Sequence, residues 1–367
     1  MKNKLIILFT SLTAFLIMLT GCALPGYNDQ AASWTASLVS SDLERQTSVE
    51  QWLDWIEKLS GAEPVIVNGQ TTTIDTRFNY AMFSDQENAQ AFEYVQEQVT
   101  AMVGAAQVEV DPYEYRDAER AYTWKNLIVT LPGTKRPEEV VVLAAHLDSI
   151  VVRRGNPMER APGANDNATG VATLLEAVRV FKDYRFARTI KIIFFTGEEL
   201  GLVGSRAYVQ DHDTQHIKAV INLDMFGFDS DNDRCFEIHA GSQPLSTALG
   251  LQISQVIDQY DLNLTYDFLT DTATDRSDHA AFWEQGVPAV LLVENFFDDG
   301  LPNGCQGMDG NPVYHKPEDT VDRINSAYAF DIARLSLHST ADLAEPLGFR
   351  SVERLLRSIV AAFWEQF

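Results

Sequence analysis

Apolar positions in this chain follow two rhythms. Residues 140–145, 189–196, 219–223 and 287–294 are nearly unbroken apolar runs, rich in β-branched and aromatic side chains. Runs of that length and character predict strands buried on both faces. Between and after them, residues 169–180, 202–209, 246–259 and 328–343, with a short segment ending at 282–285, repeat apolar residues at helical spacing. Strands separated by helices predict an α/β fold: a single domain with a mostly parallel mixed central sheet covered by helices on both faces.

The flanks are less regular. Val49, Trp52, Leu53, Ile56 and Leu59 line one side of a helix that stops at Gly61. Residues 84–102 read as a second helix, with Ser84 and Glu87 as a capping box and Gly104 beyond its end. Strands are expected at 107–110 and at 126–131, the latter closed by Pro132-Gly133. The final segment, 352–364, is amphipathic and is expected to cap the sheet. The domain is placed at 41–367, preceded by a small, polar tether over 22–40.

Ahead of the tether, Lys2 and Lys4 introduce an apolar run over 5–19 that ends Leu19-Thr20-Gly21-Cys22. The run is too short for an ordinary membrane span and reads as the core of a secretory signal. Its ending resembles a bacterial lipoprotein signal, in which residues 1–21 are removed and Cys22 carries the lipid. The expected location is extracytoplasmic, in the cell envelope, with membrane contact only through that anchor. Two cysteines remain, Cys235 and Cys305. In an oxidising compartment they are expected to pair, with two buried thiols as the alternative.

Composition narrows the function. The chain has 367 residues, 46% of them hydrophobic, enough for a large core. Acidic residues outnumber basic ones 52 to 28, giving a net charge of −24. Such a surface repels nucleic acid and offers no phosphate-binding stripe.

Chemistry concentrates at strand ends, where ligands of open α/β sheets collect. His146 follows the run 140–145, with Asp148 two residues on as a candidate partner for its second ring nitrogen. Glu198 and Glu199 follow 189–196; adjacent carboxylates there repel unless a cation neutralises them. Asp224 ends the run 219–223, where a carboxylate is unfavourable unless paired or metal-bound. Asp166 lies in a glycine-containing turn that leads into a helix, and either caps it or binds metal. His315 lies in a loop flanked by Pro312 and Pro317. Two imidazoles and several carboxylates suit zinc with positions open to water and substrate.

In sequence order, the segments around His146, Asp166, Glu198-Glu199, Asp224 and His315, with Ser277-Asp278-His279 between the last two, resemble the zinc aminopeptidase family M28, including bacterial leucyl aminopeptidases. The resemblance runs from about Trp52 to Ile324. It implies two Zn2+ ions, one held by His146, Asp166 and Asp224, the other by Asp166, Glu199 and His315. Asp166 would bridge them, through a non-proline cis peptide to Asn167. Glu198 would be the general base, and Asp278 would belong to a supporting shell. Met225 and Tyr314 would neighbour the pocket for the first side chain, joined by Phe296 and Phe297, with ordinary core packing an equal reading of those four. The implied activity is removal of an N-terminal, apolar residue from peptides with a free N-terminus.

Three rivals stand beside it. A carboxypeptidase or dipeptidase of the same clan depends on loops that the motifs do not fix. Glutaminyl cyclases of similar sequence are expected to hold a single zinc without the first histidine, so His146 argues against them. A metal-free binding module would have lost its ligands. Asp229, Asp231 and Asp233 alternate like a calcium loop, but Arg234 stands where an EF-hand needs glycine, so they are read as a solvated acidic turn.

Overall fold

The computed structural model describes residues 27–83, 89–297, 304–305 and 307–365. The signal segment, Cys22 and the Ser84–Glu87 capping box lie outside the described residues.

Helices α1 (Tyr27–Gln46) and α2 (Val49–Leu59) lead into a small hairpin, β1 (Val65–Val67) and β2 (Gln70–Thr72). Helices α3 (Asn79–Met82) and α4 (Gln90–Val103) follow. The chain then builds β3 (Val108–Arg116), β4 (Ala121–Leu131), β5 (Arg136–His146), α5 (Ala168–Phe181), β6 (Tyr184–Phe186) and β7 (Arg188–Phe195). Next come α6 (Val203–Asp211), β8 (Ile217–Leu223), β9 (Cys235–His239), α7 (Pro244–Gln259), β10 (Thr265–Leu269), α8 (His279–Glu284) and β11 (Ala289–Glu294). The chain closes with α9 (Ser326–Ala344), β12 (Pro346–Phe349) and α10 (Val352–Glu365).

Eight strands form one sheet in the order β10-β9-β11-β8-β5-β7-β4-β3. The central trio β8-β5-β7 is parallel, as are β11-β8 and β10-β9, whereas β9-β11, β4-β7 and β3-β4 are antiparallel. Period-two alternation divides each central strand between two cores. In β5, Val141, Leu143 and Ala145 face the larger core, and Val142 and Ala144 face a smaller one shared with Tyr208 of α6 and Phe282 of α8. Both faces are therefore covered, as the unbroken apolar runs require.

Three readings change. The expected tether is helical from Tyr27, and Leu38, Val39 and Leu43 are buried in the main core. Its Ser, Thr and Ala residues conceal an apolar stripe that needs a partner surface, supplied by β12 and α10. Helix α10, expected to cap the sheet, packs on α1 and β12. Strand β9 went unseen because Glu237 and His239 interrupt its apolar run. Both are buried, and they satisfy one another through a 2.6 Å contact between Nε2 and Oε2.

The cysteines form a disulfide, Cys235–Cys305, with Cα atoms 5.3 Å apart. It joins the start of β9 to the segment that leads to His315.

Candidate metal centre

Register brings the candidate residues together. His146 is the last residue of β5 and pairs with Phe195 of β7, and Ala145 pairs with Leu223 of β8. Because the three strands are parallel and adjacent, His146, Glu198-Glu199 and Asp224 emerge on one edge of the sheet. Gly197, at φ +73°, turns the chain there; a Cβ would meet Tyr113 and Trp124 at 3.2 Å and Asn79 at 3.1 Å. Glu198 and Glu199 then open a single 3-10 turn.

Asp166 arrives from the β5–α5 loop, where Asn167 caps α5 and the Asp166–Asn167 peptide is cis. His315 arrives at φ +54°, its ring stacked on Tyr314 with centroids 3.7 Å apart.

The five expected ligands converge. His146 Nε2 lies 3.1 Å from Asp224 Oδ1 and 3.4 Å from Asp166 Oδ1. His315 Nε2 lies 3.3 Å from Asp166 Oδ2 and 2.9 Å from Glu199 Oε2. Asp166 thus turns one oxygen to each imidazole, the disposition of a bridge. Single ligand atoms of His146, Asp166 and Glu199 all lie within 4.8 Å of one another. Glu199 Oε1 is buried with no hydrogen-bond partner, an oxygen that a cation would satisfy.

The electrostatics agree. Burial alone would lower the pKa of both imidazoles. Around His146, the charge of Asp224 and the neighbouring carboxylates of Asp148 and Asp166 instead raise it well above the usual range. Hydrogen bonds to Asp166 and Glu199 raise His315 to about 10. Burial and the charge of Asp166 push Glu199 up to about 7. Burial is also the main cause holding Glu198 well above the carboxylate range. Without metal, protons on the two histidines neutralise carboxylates that divalent cations would otherwise neutralise. The donor set, two imidazoles and three carboxylates, fits zinc.

The support differs in detail from expectation. His146 Nδ1 bonds the backbone carbonyl of Asp148 (3.1 Å), while the Asp148 carboxylate stands 3.7 Å away. Its Oδ1 and Oδ2 instead accept the backbone N–H groups of Glu198 (3.3 Å) and Glu199 (3.2 Å). Asp278 is buried nearby, and burial pushes it up to about 7. The direct brace on Asp224 is the neighbouring Ser277, whose hydroxyl donates to Oδ2 at 2.7 Å and accepts from Asn222.

Other supports carry no sequence signal. Asp319 accepts the backbone N–H groups of Asn165 (2.9 Å) and Asp166 (3.0 Å) from more than 150 residues away. Arg77, fully buried, donates to the carbonyls of Leu59, Leu147, Pro162 and Gly163 beneath the same loop. Only their position relative to the site reveals them, and no local spacing encodes it.

The cleft above the site is lined by Asp166, Glu198, Glu199, Asp224 and His315 together with Met225, Arg276, Ser277, Leu291, Val293, Phe297 and Tyr314. Met225, Phe296, Phe297 and Tyr314 do meet, in one apolar cluster with Leu291 and Val293. Phe296 stands one step back, against Tyr314 (centroids 4.8 Å apart).

Comparison with known proteins decides the family. The profile described as peptidase family M28 matches residues 126–340. The chain belongs to peptidase family M28. Leucine aminopeptidase 1 of Trichophyton equinum is 29% identical over 283 residues, covering 73% of this chain and 71% of the relative. The crystal structure of Legionella pneumophila LapA aminopeptidase superposes with a TM-score of 0.62 at 22% identity, over 84% of this chain and 75% of that one. A glutaminyl cyclase from an Acidobacteriales bacterium superposes equally well, TM-score 0.61 at 22% identity, over 81% of this chain and 94% of that one. The fold is therefore common to an aminopeptidase and a glutaminyl cyclase. As an M28 peptidase the chain is a metallopeptidase.

Proposed function

We propose that this M28 peptidase is a two-zinc aminopeptidase that prefers an apolar N-terminal residue. The observation that carries the reading is Asp166, whose two carboxylate oxygens face His146 and His315 separately. His146, Asp166 and Asp224 would hold one zinc, and Asp166, Glu199 and His315 the other. Zinc there would supply Lewis acidity to the scissile carbonyl and an acidified water as nucleophile.

The remaining work falls to the chain. Glu198 lines the cleft beside the ligands without belonging to either set. Its carboxylate takes the proton of the attacking water and returns it to the departing amine nitrogen. Asp148, bonded to the Glu198 and Glu199 amides, fixes both side chains relative to His146. The acidic rim receives the free α-ammonium of the substrate, and Met225, Leu291, Val293, Phe297 and Tyr314 receive its first side chain. Their apolar character, together with the leucine aminopeptidase activity named for the relatives, supports the preference.

His146, adjoining both Asp166 and Asp224, favours hydrolysis over cyclisation, since it completes a second cation site. The test is a panel of fluorogenic substrates with the zinc-loaded protein. Leucyl and other apolar aminoacyl amides should be cleaved, and their N-acetylated forms should not. Pyroglutamate formation from a glutaminyl substrate without release of apolar residues would replace this reading with a cyclase.

We further propose an extracytoplasmic location, with the lipid anchor at Cys22. The Cys235–Cys305 disulfide supports an oxidising compartment. Among the described residues no helix is long and apolar enough to cross a membrane.

A further inference from the structure

A second group of carboxylates lies beyond the candidate metal centre, in the loop between β8 and β9. Asp229, Asp231 and Asp233 each place one oxygen so that the three lie within 4.8 Å of one another. Asp231 is exposed, as a solvated turn requires, but Asp229 is only 8% exposed. Its Oδ2 accepts from the side-chain amide of Asn325 at 3.0 Å, while Oδ1 is buried with no donor in hydrogen-bond geometry. Burial raises the pKa of Asp229; the Arg234 backbone N–H offsets part of this, and the charge of Asp309 adds to it ahead of Asp233 and Asp231. Asp309 is tied to the loop by the Ser230 backbone N–H (3.1 Å) and hydroxyl.

The solvated-turn reading therefore fails at Asp229. Asn325 and the Arg234 backbone N–H relieve this carboxylate only in part: Oδ1 stays buried without a partner, beside three other carboxylates, and a cation among them would neutralise the group. The basic residue of the loop does not serve: the Arg234 guanidinium turns to Asp331 (2.6 Å) and to the carbonyls of Asn263 and Ala327.

We propose that Asp229, Asp231 and Asp233, with Asp309 beside them, form a structural calcium site. The donors are all oxygens, and Ca2+ accepts six to eight oxygens in flexible geometry, so water and loop carbonyls can complete its shell. Among the described residues the group holds carboxylates alone, and the nearby Cys235 is in the disulfide, so no imidazole or free thiol favours zinc. The site is not an EF-hand, so Arg234 is no obstacle. Through Asn325 it touches the cap of α9, and through Asp309 the segment that carries His315. A bound ion would fasten the β8–β9 loop to both.

The test uses zinc-loaded protein freed of calcium by EGTA and dialysed back to excess zinc. Calorimetric titration with CaCl2 should show saturable binding of one ion per chain and a calcium-dependent rise in Tm. Asp231→Asn, at an exposed position that spares folding, should weaken binding by about ten-fold or more, since affinity follows ligand charge. Asp229→Asn should abolish it, with both variants retaining wild-type zinc content. Absence of saturable calcium binding by the wild type, or unchanged affinity in Asp231→Asn, would overturn the proposal. An equal Tm rise with MgCl2 would overturn the assignment to calcium.

Discussion

The Ser277 hydroxyl donates to Asp224 Oδ2 at 2.7 Å, leaving Oδ1 to face His146 Nε2 at 3.1 Å. A ligand carboxylate with one oxygen committed to a neighbour has its other oxygen aimed, and outer partners of this kind typically contribute 10–100-fold in metal affinity. Ser277→Ala should therefore fold normally and lose about that much zinc affinity. Competition with a chromogenic chelator measures this; unchanged affinity would show that Asp224 is aimed by other contacts.

The metal-free protein should lose stability as pH rises. His315, raised to about 10 from an ordinary 6.5, binds a proton more tightly folded than unfolded. Its contribution is full below about 6.5 and lost as pH climbs towards 10. Glu199, raised to about 7 from 4.5, acts in the same direction between those values. Tm of the chelated protein should fall from pH 6 to pH 10, and the zinc-loaded protein should fall less, because bound metal has already displaced these protons. Parallel thermal scans in matched buffers check it.

Arg77 offers a stability prediction. It satisfies four buried carbonyls at once, two of them in the Pro162-Gly163 turn that delivers Asp166. Arg77→Met should destabilise the protein by roughly 3–5 kcal/mol, since the acceptors stay buried without donors. Chemical denaturation of both zinc-loaded proteins measures the difference, and zinc affinity should fall alongside it.

Proton transfer is tested at Glu198. Glu198→Gln keeps shape and hydrogen-bonding capacity but loses the basic oxygen. Turnover of a leucyl amide substrate should fall by about 10²–10⁴-fold, with zinc content unchanged. A variant retaining most of its turnover would move the base elsewhere.

The centre of this fold was legible because burial on both faces leaves strands as unbroken apolar runs. Parallel β5, β7 and β8 then carry whatever ends them to one edge, so His146, Glu198-Glu199 and Asp224 could be read as neighbours. Asp166 and His315 were visible as candidates with alternatives open, and the family resemblance assigned their roles, because loops that fold back carry no periodicity. What stayed hidden depends on partners distant in sequence. Glu237 and His239 made β9 look polar, and their burial is explained by their mutual contact together with the backbone N–H groups of Phe297 and Thr274, which bond Glu237 Oε1 and His239 Nδ1. Helix α1 needs β12 and α10 to bury Leu38 and Leu43. Ser277, Asp319 and Arg77 act through backbone and side-chain contacts that no spacing announces. Asp229 looked solvated for the same reason, since its burial depends on the fold around it.

The account rests on two cations sharing Asp166, and metal stoichiometry tests that most directly. Elemental analysis of protein dialysed against saturating zinc should find two zinc ions per chain, falling to about one in His146→Ala. One zinc per wild-type chain, or none, would contradict the central claim.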